Sequence, residues 1–126
     1  MQFLWIALGG ALGALSRYLV GAFLFQQFKW GPPWSTLIVN VTGCLVMGIM
    51  FAWVEVKSGL SSELRQFMMI GFLGAYTTFS TYMLEVVSLI DLQRYSLAFT
   101  SIILSTALGF VFFILGTWLT KNLIKV

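Results

Sequence analysis

Residues 71–85 read GFLGAYTTFSTYMLE, and the reading of this stretch decides that of the whole chain. It lies inside a long apolar run, yet Thr77, Thr78, Ser80 and Thr81 set four hydroxyls close together there. In hydrocarbon an unpaired donor or acceptor costs several kcal/mol, so hydroxyls at that depth imply helix-to-helix hydrogen bonds or the wall of a polar pathway. Gly71 and Gly74 precede the cluster. Glycine accepts non-helical angles, and non-helical backbone is tolerated in a membrane where it is buried in protein or lines a cavity, so a break in the helix is expected here. Phe79 and Tyr82, three residues apart, are expected to share a helix face interleaved with Ser80 and Thr81, a wall of ring edges and hydroxyls.

Around that stretch the chain has 126 residues, 60% hydrophobic and 9% charged, with mean hydropathy +0.96. Soluble domains run at about half apolar and a quarter charged, so this is an all-α membrane protein. Four apolar segments, at 3–25, 36–54, 64–90 and 97–119, have the length of about 20 residues that a helix needs to cross hydrocarbon. Together they make one transmembrane domain over residues 1–126, with the third helix broken near its middle. Trp5, Trp30, Trp34, Trp53 and Trp118 fall near segment ends, where indole rings settle at the membrane interface. The first run begins at Phe3 without a basic region before it and is too long for a signal peptide, so it is read as a retained span. An even number of spans leaves both termini on one side. There Lys57, Arg65, Lys121 and Lys125 stand against Lys29 and Arg94 opposite, a small bias that favours cytoplasmic termini and permits insertion both ways.

Several function classes drop out. The basic residues are scattered and form no patch for nucleic acid. With no histidine and one cysteine, one chain offers no His-ligated haem, zinc site or Cys-His nucleophile. Cys44 reads as a small apolar residue within a helix.

Within the spans, Gly9, Gly13, Arg17 and Gly21 recur every four residues, a small-residue stripe suited to close helix packing. Arg17 should face protein or a vestibule, either as a structural anchor or as a charge that concentrates anions. Pro32 and Pro33 separate the first two helices, and Ser35 is placed to cap the second. That helix carries Thr36, Asn40, Gly43 and Met47 on one face. Asn40 is either interhelical glue or an N–H donor aimed at a passing anion. Glu85, near the end of the third span, is placed to pair with Arg94, cap a network or reach water. Ser101, Ser105 and Gly109 form a polar and small stripe on the fourth.

The segments GGALGALSRY at 9–18, STLIVNVTG at 35–43 and GFLGAYTTFSTYMLE at 71–85 together resemble the small fluoride channels known as Fluc or CrcB proteins. The resemblance covers all four spans. It implies a dual-topology dimer of antiparallel subunits, formed with a second copy or a close paralogue, with two fluoride pores along the interface and a sodium ion at the centre. It implies passive export of fluoride across the inner (plasma) membrane, conferring fluoride resistance. Carried over by motif position, Asn40 is the pore amide, Phe79 and Tyr82 take the places of paired phenylalanines, and Ser80 and Thr81 lie on the same pore segment. Arg17 stands in a vestibule. Thr36, Glu85 and Ser105 support the pore, and the backbone carbonyls of Gly74 and Thr77 hold the sodium. The chain departs from the usual pattern at Tyr82 (commonly phenylalanine), at Ser35 (often glycine), and at Gly109 and Phe113, where hydroxyls are common.

Three other readings fit the residues less well. A small proton-coupled multidrug exporter shares the four-helix plan, but such exporters resemble one another in a carboxylate in the first span, where this chain has Arg17. A subunit that only packs against larger partners would explain the glycines and aromatics but not TTFST beside a helix break. An enzyme is disfavoured because Glu85, the only acid within a span, has no His or Cys companion.

Overall fold

The computed structural model describes residues 1–57 and 60–124. Lys125 and the side chain of Lys57, both counted above for topology, lie outside the described residues. The chain is helical almost throughout: α1 is Gln2–Phe28, α2 Trp34–Lys57, α3 residues 62–76, α4 Ser80–Asp91 and α5 Tyr95–Ile124. Each expected span lies inside this set, with α3 and α4 together forming the third. At 1.5 Å per residue the 27 residues of α1 reach about 40 Å, enough to pass the hydrocarbon and end among headgroups. Only 11–22% of each span is buried within the chain.

Two pairings dominate the packing, α1 against α3 and α2 against α5. Both are close backbone contacts made possible by glycine. A methyl group on Gly9 would collide with the carbonyl of Phe67, and one on Gly13 with that of Phe72. Across the other pair, Gly48 faces the Phe113 carbonyl and Gly116 that of Leu45. Lipid tails are as apolar as leucine, so helices in a membrane associate through such close fits rather than through burial from water. Gly21, the last glycine of the α1 stripe, meets nothing within 4 Å and takes no part in this packing. Residues Gln66–Leu73 of α3 are wound as a π-helix, whose wider turn carries the Phe67 and Phe72 carbonyls that face α1.

The connections follow turn chemistry. Ser35 does not cap α2. Gly31 closes the turn instead, its carbonyl accepting from Trp34 N–H at 3.0 Å and Ser35 N–H at 3.3 Å, so Ser35 is already in the first helical turn. The helix α4 ends in a Schellman motif, with Gln93 N–H donating to Ile90 and Arg94 N–H to Leu89, both at 2.8 Å, and Gln93 left-handed at φ 57°. The turn folds α4 back on α5, where Tyr82, Val86, Leu89 and Ala98 form a small buried cluster.

The glycine contacts predict a contrast within one helix. Gly13→Ala should destabilise the fold by about 1–3 kcal/mol, the range for overpacking. Gly10→Ala, where a methyl group meets nothing within 4 Å, should be close to neutral. Equilibrium unfolding in mixed detergent micelles measures both.

Candidate functional site

The break falls inside the quoted stretch, at residues 77–79. Thr77 is extended, with φ −75° and ψ 153°, and α4 begins at Ser80. Asn40 reaches across from α2 and holds the break on both sides. Its Oδ1 accepts from the Thr78 N–H at 2.8 Å, and its Nδ2 donates to the Thr78 carbonyl at 3.0 Å. The first of these bonds has a consequence for the backbone. In an unbroken helix the Thr78 N–H would serve the carbonyl of Gly74, and the Thr81 N–H that of Thr77. The first donor goes to Asn40 and the second to Thr78 Oγ1, at 3.4 Å. The carbonyls of Gly74 and Thr77 thereby lose their helical donors.

Two further contacts tie the end of α3 to α2. Gly43 leaves room for the methyl of Thr77, whose hydroxyl donates back to Leu73 at 2.9 Å. The Thr42 hydroxyl donates to the Ile38 carbonyl at 2.7 Å, also lies 3.1 Å from that of Val39, and touches the Tyr76 hydroxyl at 3.0 Å. Thr42 has one proton and spends it on its own helix, so Tyr76 is the donor in this pair. Sequence reasoning did not single out Thr42 or Tyr76, and bonds between residues 34 apart leave no local pattern to find.

A cavity of about 480 Å³ opens beside the break, lined by Asn40, Phe79, Tyr82, Ser105, Gly74 and Thr77 among others. The structure thus brings six of the expected site residues to one place. The Phe79 and Tyr82 rings lie 6.2 Å apart at 58°. Phe79 is the N-cap residue of α4 and 73% exposed, whereas Tyr82 is buried in α4 with its hydroxyl unpaired among the described residues. Thr106 lines the same cavity and was not foreseen. Cys44 lines it too, consistent with a small residue on an inner helix face.

The remaining expected residues gather elsewhere. Arg17, Thr36 and Thr81 line a second cavity of about 90 Å³, with Gly21 and Ser35. Thr78 lines both cavities, so the segment clamped by Asn40 is the wall between them. Thr36 donates to Glu85 Oε1 at 2.6 Å, which joins the second cavity to α4. Glu85 therefore does not pair with Arg94, whose backbone is drawn into the Schellman turn beyond the end of α4. Ser80 is exposed and lines neither cavity.

The family described as CrcB-like protein, Camphor Resistance (CrcB), matches residues 4–117, which include both cavities and the break. The chain belongs to the CrcB-like family. A fluoride-specific ion channel FluC of Acidobacterium capsulatum is 40% identical over 119 residues, covering 94% of this chain and 92% of its own. A protein of the same name from Maridesulfovibrio salexigens is 37% identical over 124 residues, 98% of each chain. Another, from Desulforapulum autotrophicum, is 38% identical over 109 residues, 86% of this chain and 87% of its own.

In this CrcB-like chain the clamp predicts graded effects. Asn40→Ala leaves both the N–H and the carbonyl of Thr78 unpaired at membrane depth, at about 1–3 kcal/mol for each group. Asn40→Asp keeps an acceptor for the N–H but sets a carboxylate oxygen against the Thr78 carbonyl at membrane depth, so it should cost at least as much as Ala. Unfolding midpoints in micelles give the order.

Proposed function

We propose that this multi-pass protein of the cell membrane is a fluoride-selective channel that lets the ion leave the cell passively, as the names of its relatives indicate. The observation that carries the reading is the cavity beside the break, where an amide, hydroxyls and aromatic rings meet and no lining residue is acidic or basic. Fluoride is small and holds its water tightly. A pore must replace that water with donors, and N–H groups, O–H groups and the positive edges of rings serve an anion. The clamp uses one of the two Asn40 amide protons, leaving the other to face the ion. Phe79 and Tyr82 contribute ring edges, and Ser105 a hydroxyl from α5. Thr81 and Ser80 extend the hydroxyl series along the break, and Arg17 in the second cavity draws anions toward it, with Thr36 and Glu85 as its frame. A negative interior drives fluoride outward at about 2.3 kcal/mol per charge for each 100 mV, so no coupling group and no chemical step is required. The four acids of the chain all lie outside α1, which speaks against the proton-coupled exporter.

The carbonyls of Gly74 and Thr77, stripped of helical donors, suit a sodium ion held by backbone oxygen alone. Such an ion would supply structural cross-linking between two copies, with no acidic side chain needed. An antiparallel second copy, or a close paralogue, is supported by the low burial of every span, by the exposure of Phe79 and by a bias of loop charges small enough to permit insertion both ways.

Liposomes loaded with fluoride or chloride test the function, with an ion electrode outside. Fluoride should leave far faster than chloride; equal rates would exclude the reading. Phe79→Ile fills similar space without a ring edge, and Tyr82→Ile does the same. Both should conduct poorly, while Tyr82→Phe, which keeps the edge, should remain close to native. If the rings are only packing, both Ile variants will conduct normally once flux is normalised to folded protein.

Topology has its own test. A single cysteine placed at either terminus, on a Cys44→Ser background, should be labelled from both sides of the membrane by an impermeant reagent. Labelling from one side alone would leave only pairing with a paralogue.

A further inference from the structure

Away from the pore, a cavity of about 490 Å³ lies where the end of α1 meets the start of α2, lined by Lys29, Trp30, Trp34, Leu37 and Ile38. Its polar rim is held in place. Lys29 is left-handed at φ 59°, with its N–H directed to the Leu24 and Phe25 carbonyls and its ammonium 5.8 Å from the centre of the Phe25 ring. Trp30 rests on Phe28 at 5.4 Å between centroids. Among the described residues the one ion pair is Lys121–Glu55, and neither the Lys29 ammonium nor the indole N–H of Trp30 or Trp34 has an acceptor there. The three residues that carry these donors line the pocket, and its remaining lining, Leu37 and Ile38, lies further along α2 and is purely aliphatic.

We propose that this pocket binds an anionic phospholipid, its phosphate accepting from Lys29 and the two indoles and an acyl chain covering Leu37 and Ile38. The position selects a lipid, because the pocket sits at the end of a membrane-crossing helix, at headgroup level. A free phosphate would satisfy the donors and leave the aliphatic part bare. A zwitterionic headgroup carries its own ammonium, which competes with Lys29 for the phosphate, so the lone cation favours a headgroup such as phosphatidylglycerol. The proposal rests on the placement of the chain in a membrane and is independent of what the pore conducts.

The tryptophans report on their own pocket. The protein is reconstituted in phosphatidylcholine bilayers containing increasing fractions of tail-brominated phosphatidylglycerol or tail-brominated phosphatidylcholine. The fluorescence assigned to the pocket is the part missing from a Trp30→Phe, Trp34→Phe double variant. Half-quenching should need about fivefold less brominated phosphatidylglycerol than brominated phosphatidylcholine, as expected for one basic residue near an anionic lipid, and high salt should shrink the difference. Lys29→Asn removes the charge with a residue that tolerates the left-handed backbone and should abolish the preference, while Lys29→Arg should keep it. Equal quenching by the two lipids in the native protein would overturn the proposal without any variant having to fold. So would a preference that survives in Lys29→Asn, or a pocket that neither lipid quenches because protein covers it.

Discussion

Hydrocarbon supplies neither donors nor acceptors, so a helix broken at membrane depth must bring its own, and in this chain they come from Asn40. One carboxamide is well matched to the task. It presents an acceptor and a donor on the same planar group, and a single exposed peptide unit at Thr78 needs one of each. A serine or threonine in its place would have to meet the N–H and the carbonyl through one oxygen. The bond from Thr78 N–H to Asn40 also frees a backbone acceptor at the break. The amides of Thr78 and Thr81 end up paired with side chains, while the carbonyls of Gly74 and Thr77 do not recover their helical donors. The carbonyls of Gly74 and Thr77 are thus free to accept, and the side chains around the break, an amide and several hydroxyls, can donate. In the proposed channel that sorting gives a cation the backbone and an anion the side chains.

The glycine pairings set the scale at which this works. Carbonyls of α3 press on Gly9 and Gly13 of α1, and carbonyls of α2 and α5 lie against Gly116 and Gly48, so the two helix pairs are fixed at backbone distance. Helices held this closely leave large side chains nowhere to go but outward. That accounts for the low burial of every span and for the exposed rings along their outer faces. An isolated subunit of this shape has its packing determinants inside and its binding surface on the outside, the arrangement expected when a second copy completes the site.

The architecture was legible because its signals are local or compositional. Four runs of spanning length, tryptophans at their ends and glycines ahead of a hydroxyl cluster specified the helices and the position of the break to within a few residues. What stayed hidden depended on pairs distant in sequence. Nothing near Asn40 indicates that it would hold Thr78, 38 residues on, from both sides, so structural glue and anion donor stood as alternatives when its two amide protons allow both. Glu85 had three open roles, pairing with Arg94, capping a network or reaching water, and its local sequence does not choose among them. The Schellman turn carries Arg94 past the helix end, and the antiparallel run of α2 brings Thr36 to Glu85 instead. Ser35 failed as a cap for a related reason, since Gly31 had already closed the turn. Phe79 and Tyr82 meet as ring neighbours across the start of α4, where Phe79 is the N-cap residue.

The division of the site into two cavities bears on how an anion would move through it. Conduction needs binding strong enough to replace hydration and weak enough to release the ion. A fixed positive charge in the larger cavity would deepen the well and hold fluoride there. Arg17 lies on the other side of the Thr78 segment, in the smaller cavity, together with Thr36, which donates to Glu85. From that position it would, in the proposed channel, raise the local concentration of anions without contributing a contact to the neutral donors of the larger cavity. Attraction and coordination are then carried by different residues separated by the segment that Asn40 clamps, so the same bond that permits the break also keeps the charge away from the place where the ion must be released.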